Sequence, residues 1–162
     1  MALNVLQWNC NGVRPQVHEL KHFVASAPLP YEVICLQEMF LKSGQKLSIP
    51  GYSIIRRVRQ HAPKGGLAIL VQSHVRYVKI NGIEVNGMEI MGIALKTDTG
   101  YTTVINGYRP PHKAIDITQF DRIFVNDTTI LTGDFNAKHT LWGSETEDDT
   151  GLAIEIAMDK HN

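Results

Sequence analysis

The chain has 162 residues, with Lys+Arg and Asp+Glu balanced at 16 each, 43% hydrophobic residues and 20% charged residues. That length can hold a sizeable core, the composition excludes a disordered chain, and no run nears the roughly 18 apolar residues a membrane-spanning helix needs. Zero net charge excludes a uniformly basic nucleic-acid-binding surface but leaves a local basic patch open.

The opening "MALNVLQWNCNG" has neither a basic stretch nor a long apolar one, so it does not read as a secretory signal. A strand is predicted at 3–9 ("LNVLQWN"). A helix follows with Pro15 as its first residue; Val17, Leu20 and Val24 share one face, and "APLP" ends it. Strands come next at 32–37 ("EVICLQ") and 52–58 ("YSIIRRV"), then a loop at 60–66 ("QHAPKGG"). Further strands are predicted at 66–71, 75–80, 88–96 and 101–107, with "TDTG" at 97–100 as a hairpin turn. A helix over Ile115–Val125 brings Phe120, Ile123 and Phe124 together, and a strand occupies 128–133 ("TTILTG"). "DDTGLAIEIAMDKH" reads as a closing helix with acidic and Thr capping; Glu145, Glu147, Asp148 and Asp149 serve its N-terminus. The order predicts one layered α/β domain with mixed sheets spanning 1–162. Cys10 and Cys35 each sit in an apolar stretch outside any CxxC, as buried reduced thiols of an intracellular protein do.

Four strand ends carry unusual chemistry. Asn9 and Asn11 are two apart, which on a strand places both on one face. "VICLQE" ends on Glu38, "VINGYRPP" ends at Tyr108, and "ILTGDFNAKH" offers Asp134 and Asn136, again two apart. Such residues often only terminate strands. On one shared edge they would instead make a polar pocket, and two carboxylates with amides suit a hard divalent cation such as Mg²⁺. No P-loop, GxGxxG or Ser-His-Asp arrangement points to another chemistry, so metal-assisted phosphodiester hydrolysis fits the residues best.

In this order, "LQWNCNG", "VICLQE", "GYRPP" and "LTGDFNAKHTLWGS" resemble the endonuclease/exonuclease/phosphatase superfamily. "GDFNAKHTLWGS" with "PKGGLAILV" is similar to the endonuclease domain of non-LTR (LINE, Jockey-like) retrotransposons. The resemblance implies a four-layer α/β sandwich, two mixed sheets face to face with helices outside. It implies Mg²⁺, with Mn²⁺ as the alternative, held by Glu38 with Asn11 near it. Asn9 would orient these groups and Tyr108 would contact the scissile phosphate. Asp134 would position or deprotonate the attacking water, and Asn136 would donate to the phosphate. His139 would be a loop residue supporting the site. The implied partner is double-stranded DNA, with no membrane, and the implied location is the nucleus if the target is genomic.

The basic run Arg56, Arg57, Arg59, His61 and Lys64 reads as a solvated hairpin or as contacts to DNA phosphates. Trp142 and Gly143 read as packing and turning residues. The 162 residues contain no Ser-Asp-His, the motif that relatives carry on a later strand. The sandwich is therefore expected to be incomplete at its C-terminal end, with catalysis impaired and association through an exposed sheet edge. A superfamily phosphatase and a non-catalytic retroelement remnant are the alternative functions.

Overall fold

The computed structural model describes residues 3–59, 64–98, 100–124 and 126–161. His61, Thr99 and Val125, and with them most of the 60–66 loop, lie outside the described residues.

All eight predicted strands are present. The first sheet holds β1 (Val5–Asn9), β2 (Val33–Gln37), β4 (Leu67–Gln72) and β3 (Tyr52–Arg57), in that order across the sheet. The second holds β5 (Tyr77–Ile80), β6 (Glu89–Thr97), β7 (Gly100–Tyr108) and β8 (Thr129–Asp134). β1 runs parallel to β2, and β7 runs parallel to β8; the remaining pairs are antiparallel.

Side-chain alternation turns these strands into layers. On β2 and β4, Ile34, Leu36 and Leu70 face α1 (Val13–Ser26) and pack with its Val13 and Leu20. The opposite residues Val33, Cys35, Ile69 and Val71 pack with Ile93, Leu95 and Val104 of the second sheet. That sheet's outer residues, Ile90 and Ile105, pack with Phe120, Ile123 and the Ile154 and Ala157 of α2 (Asp149–His161). The result is the four-layer α/β sandwich that the resemblance implies. β2 and β4 read as unbroken apolar runs because both their faces are covered.

Two helices differ from expectation. α1 begins at Val13 rather than Pro15. Pro15 still falls in the first turn, where its missing N–H costs nothing. The helix expected over 115–125 is a short 3₁₀ segment, Ile117–Arg122. Asp116 caps it, accepting from the Thr118 backbone N–H (3.2 Å) and the Gln119 amide (2.5 Å). With i to i+3 pairing, Phe120 and Ile123 eclipse each other and reach the second sheet together. Asp148 does cap α2, as its carboxylate accepts from Gly151 N–H at 2.7 Å. Cys10 and Cys35 are free and buried, and burial pushes their thiols up to about 11 and about 12. Among the described residues no helix is long and apolar enough to cross a membrane.

A polar seam crosses the otherwise apolar space between the sheets. Asn106 and Gln37 are fully buried, and the Gln37 amide donates to Asn106 Oδ1 at 2.7 Å. Asn106 Nδ2 donates to the Leu36 and Ala68 carbonyls (3.0 and 2.9 Å), and Gln7 donates to Gln37 Oε1 (2.5 Å). Asn106→Ala should cost about 2 kcal/mol, because it strands buried partners. Chemical denaturation would check this, and an unchanged midpoint would refute it.

Candidate functional site

The two parallel strand pairs decide where the polar strand ends go. β1 and β2 finish in register (Asn9 opposite Gln37), as do β7 and β8 (Tyr108 opposite Asp134). All four therefore deliver their C-terminal residues to one rim, where the sheets face each other.

Asn9 joins the two carboxylates. Its Nδ2 donates to Glu38 Oε1 at 2.9 Å and to Asp134 Oδ2 at 2.6 Å, across the gap between the sheets. Tyr108 is buried at 4% exposure, close enough to the Glu38 carboxylate to feel its charge. Burial, then the Glu38 carboxylate, push Tyr108 well above the ordinary tyrosine range, while the nearby Arg59 pulls the other way. Tyr108 therefore stays protonated, a hydrogen-bond donor, throughout the neutral range.

The spacing of Asn9 and Asn11 works differently from the strand reading. β1 ends at Asn9, and Asn11 sits beyond it in the left-handed region (φ 39°), its backbone N–H on Asn9 Oδ1 at 3.1 Å. Asp134 and Asn136 repeat the device: Asn136 has φ 47° and its N–H donates to Asp134 Oδ1 at 3.0 Å. These are Asx turns, in which the first side chain holds the second residue's backbone, so the pair does not share a strand face. Glu38 too has a left-handed backbone (φ 51°). Left-handed non-glycine backbones thus occur at Glu38 itself and two residues after Asn9 and Asp134, the kind of backbone strain that clusters at functional sites. Glu38 is clamped there: its carbonyl accepts from Gly12 N–H (2.8 Å), while Met39 N–H bonds the Gly66 carbonyl (3.2 Å).

Gly133 explains the first letter of "GDFN". A Cβ there would lie 1.9 Å from the Gly107 carbonyl oxygen, so only glycine lets β8 close on β7 before Asp134. Arg109 holds the rest of that loop. It is 5% exposed and donates to the carbonyls of Phe135 (2.6 Å), Lys113 (2.5 Å) and Asn136. Asn136 Nδ2 returns a bond to the Arg109 carbonyl (2.9 Å).

His139 stands apart from this group. It is 4% exposed; its Nδ1 accepts from Leu141 N–H (3.2 Å) and its Nε2 faces Glu155 (3.3 Å) and Glu147 (3.6 Å). Its ring centroid lies 4.9 Å from that of Trp142. These contacts tie the loop after Asn136 to α2, and none reaches Asn9, Glu38, Tyr108 or Asp134. Gly143 supplies the left-handed turn expected of it (φ 84°).

The basic run divides. Arg56 donates to the Gln45 and Ser43 carbonyls, and Arg57 to the Ile90 carbonyl (2.8 Å). Arg59 pairs with Glu89 and lies over the Tyr108 ring, 5.8 Å from its centroid. The sequence reading missed the Gln37–Asn106 seam and the Arg59–Glu89 pair. Polar residues inside apolar strands ("CLQ", "VIN") were the available signal for the first; nothing local signals the second.

The site opens on a cleft of about 710 Å³ that runs past Asn9, Asp134 and Asn136. Its apolar lining includes Trp8, Phe120, Phe124, Leu131 and Ile154. It follows β1 and β8, which are edge strands of their sheets.

Among the described residues no three His, Cys, Asp or Glu side chains gather as a metal cage. Mg²⁺ does not require one: one or two carboxylates plus waters suffice. Glu38 and Asp134, brought together through one amide with further oxygen donors nearby, fit that requirement and not a zinc site.

The sequence profile of the Endonuclease/Exonuclease/phosphatase family matches residues 6–155. The RNA-directed DNA polymerase from mobile element jockey of Drosophila melanogaster is 28% identical over 149 residues, 88% of this chain and 16% of that protein. The probable RNA-directed DNA polymerase from transposon X-element, also of Drosophila melanogaster, is 27% identical over 158 residues, 95% of this chain and 17% of that protein. The chain thus spans about a sixth of the length of these relatives. Among solved structures, the endonuclease domain of TRAS1, a telomere-specific non-LTR retrotransposon, superposes with a TM-score of 0.79 at 23% identity. That match covers 98% of this chain and 72% of the TRAS1 domain. An AP endonuclease from Archaeoglobus fulgidus gives 0.65 at 16% identity, covering 98% and 71%.

Proposed function

Because the chain belongs to the Endonuclease/Exonuclease/phosphatase family, we propose that it is a Mg²⁺-dependent phosphodiesterase, the DNA-nicking endonuclease domain of a non-LTR retrotransposon. The observation that carries this reading is Asn9 joining Glu38 and Asp134 beside the protonated Tyr108 hydroxyl. The jockey and X-element relatives and the TRAS1 domain favour DNA over other phosphodiesters.

Glu38, with Asn11 beside it, would hold Mg²⁺ or alternatively Mn²⁺. When bound, the cation supplies charge stabilisation to the phosphoryl oxygens. Asp134 accepts a proton from the attacking water as the new P–O bond forms and the bond to the leaving oxygen breaks. Tyr108 donates to a phosphate oxygen, and the second Asn136 amide proton adds a donor where negative charge grows. Asn9 keeps the two carboxylates in place, and His139 supports the loop from behind. The substrate is proposed to be double-stranded DNA, and the location nuclear if that DNA is genomic.

The open edges of β1 and β8 and the exposed Leu141 and Ile156 would favour self-association. Supercoiled plasmid is the substrate of choice, since one nick per molecule is visible. Relaxation with Mg²⁺ and none with EDTA is expected. Release of phosphate from inositol phosphates in the absence of nicking would instead favour the phosphatase reading.

A further inference from the structure

Arg59 is placed in a way that loop structure alone does not require. Glu89 opens β6 directly opposite Tyr108, the last residue of β7. Its two carboxylate oxygens are divided between partners: Oε1 takes Arg59, and Oε2 takes Gly66 N–H at 2.9 Å. The same glycine holds Met39, next to Glu38. Glu89 therefore sets Arg59 and the Glu38 segment from one point.

The guanidinium so held lies over the ring of Tyr108, which feels the charge of both Arg59 and Glu38. Its Nε and Nη2 point to Glu89, and among the described residues Nη1 has no hydrogen-bond partner. The side chain keeps 26% of its surface. Arg56 and Arg109 place two and three donors on backbone carbonyls, and Arg57 turns away from Tyr108 to the Ile90 carbonyl. Lys64, with its ammonium 5.8 Å from the Phe40 ring centroid, stands on the same side of the pocket.

We propose that Arg59, pre-set by Glu89, grips a non-bridging phosphate oxygen of the substrate and so fixes the strand across Glu38 and Tyr108. A guanidinium suits this task because two donors can remain on an anchoring carboxylate while the rest of the planar fork meets phosphate. Glu89 is then a positioning residue that acts through Arg59. The inference rests on the phosphodiester reading above and adds a residue that the four strand-end motifs do not contain.

The test compares wild type with Arg59→Ala, Arg59→Lys and Glu89→Gln, each first shown by thermal melting to be folded. Binding of a fluorescent duplex is measured across a salt series with Ca²⁺ in place of Mg²⁺, and inorganic phosphate is titrated calorimetrically. Arg59→Ala should weaken duplex binding about tenfold and lower the slope of log K against log salt by ~1, the loss of one phosphate contact. Arg59→Lys should restore the slope but only part of the affinity. Glu89→Gln should keep the slope while raising KM for nicking more than it lowers kcat.

Duplex binding by wild type that Arg59→Ala leaves unchanged in affinity and slope overturns the Arg59 role and leaves the nuclease reading standing. Failure of wild type to bind duplex, with phosphate heat that vanishes in Arg59→Ala, overturns the DNA reading and keeps the Arg59 role. Absence of both signals in wild type overturns both.

Discussion

Glu38→Gln is expected to take Mg²⁺-dependent plasmid nicking down to the uncatalysed background, at least about a hundredfold below wild type. Three functions meet on this carboxylate: it accepts from Asn9, it sets its charge beside Tyr108, and it offers the charge a hard cation needs. Glutamine keeps the size and one acceptor oxygen, so Asn9 retains a partner and the fold should persist. The lost charge removes most of the attraction for a divalent ion, and with it the transition-state stabilisation that electrostatics usually dominates. Mg²⁺ calorimetry should show heat with wild type and none with the variant. Relaxation of plasmid by Glu38→Gln at the wild-type rate would exclude Glu38 as a metal ligand. Asp134→Asn makes a useful companion, because a proton acceptor should be missed at the chemical step more than in Mg²⁺ binding.

Replacing Arg109 should damage the fold more than any other single change near the site. Its guanidinium is buried and serves three backbone carbonyls, two of them in the "GDFN" turn itself. Removing it strands those acceptors, at about 1–3 kcal/mol for each that water cannot reach. A total near 3 kcal/mol is expected for Arg109→Ala, which in a chain of this size lowers Tm by about 10 °C. Arg109→Lys should recover little, since one ammonium cannot span three carbonyls set in a fork. Differential scanning calorimetry is the check, and an unshifted Tm in Arg109→Ala would show that the turn holds its shape unaided. The prediction also explains the motif "GYRPP": tyrosine faces the pocket, arginine turns back to hold the neighbouring loop, and proline ends the strand.

Much of the site was legible because its residues sit at strand ends, where apolar runs give way to polar side chains. Asn9, Glu38, Tyr108 and Asp134 come together as their placement at those ends implied. The inference from spacing was less sound. A two-residue spacing predicts that Asn11 and Asn136 continue their strands, yet both backbones enter the left-handed region, because a short Asn or Asp side chain captures the N–H two residues on. The 115–125 helix failed for a similar reason: Asp116 satisfies local donors and favours a tight 3₁₀ segment over a longer α-helix. His139 could be noticed in the sequence but not located. Its burial against Glu147, Glu155 and Trp142 depends on α2 coming close, and α2 can do so because Gly151 has no Cβ to meet the Lys138 carbonyl, which would lie 1.9 Å away.

The eight strands, the closing helix and the chemical character of the four strand ends can be read without coordinates, because alternation and punctuation are local properties. It also carried the family resemblance through four motifs in order. Long-range packing is what pairs β1 with β2 and β7 with β8 in parallel, brings those ends to one rim and lets Asn9 reach across both sheets. It alone decided that, of the basic residues in the 56–64 run, Arg56 and Arg57 turn to backbone carbonyls while Arg59 stands at the pocket. Those outcomes depend on contacts between residues far apart in the chain, which no local pattern encodes.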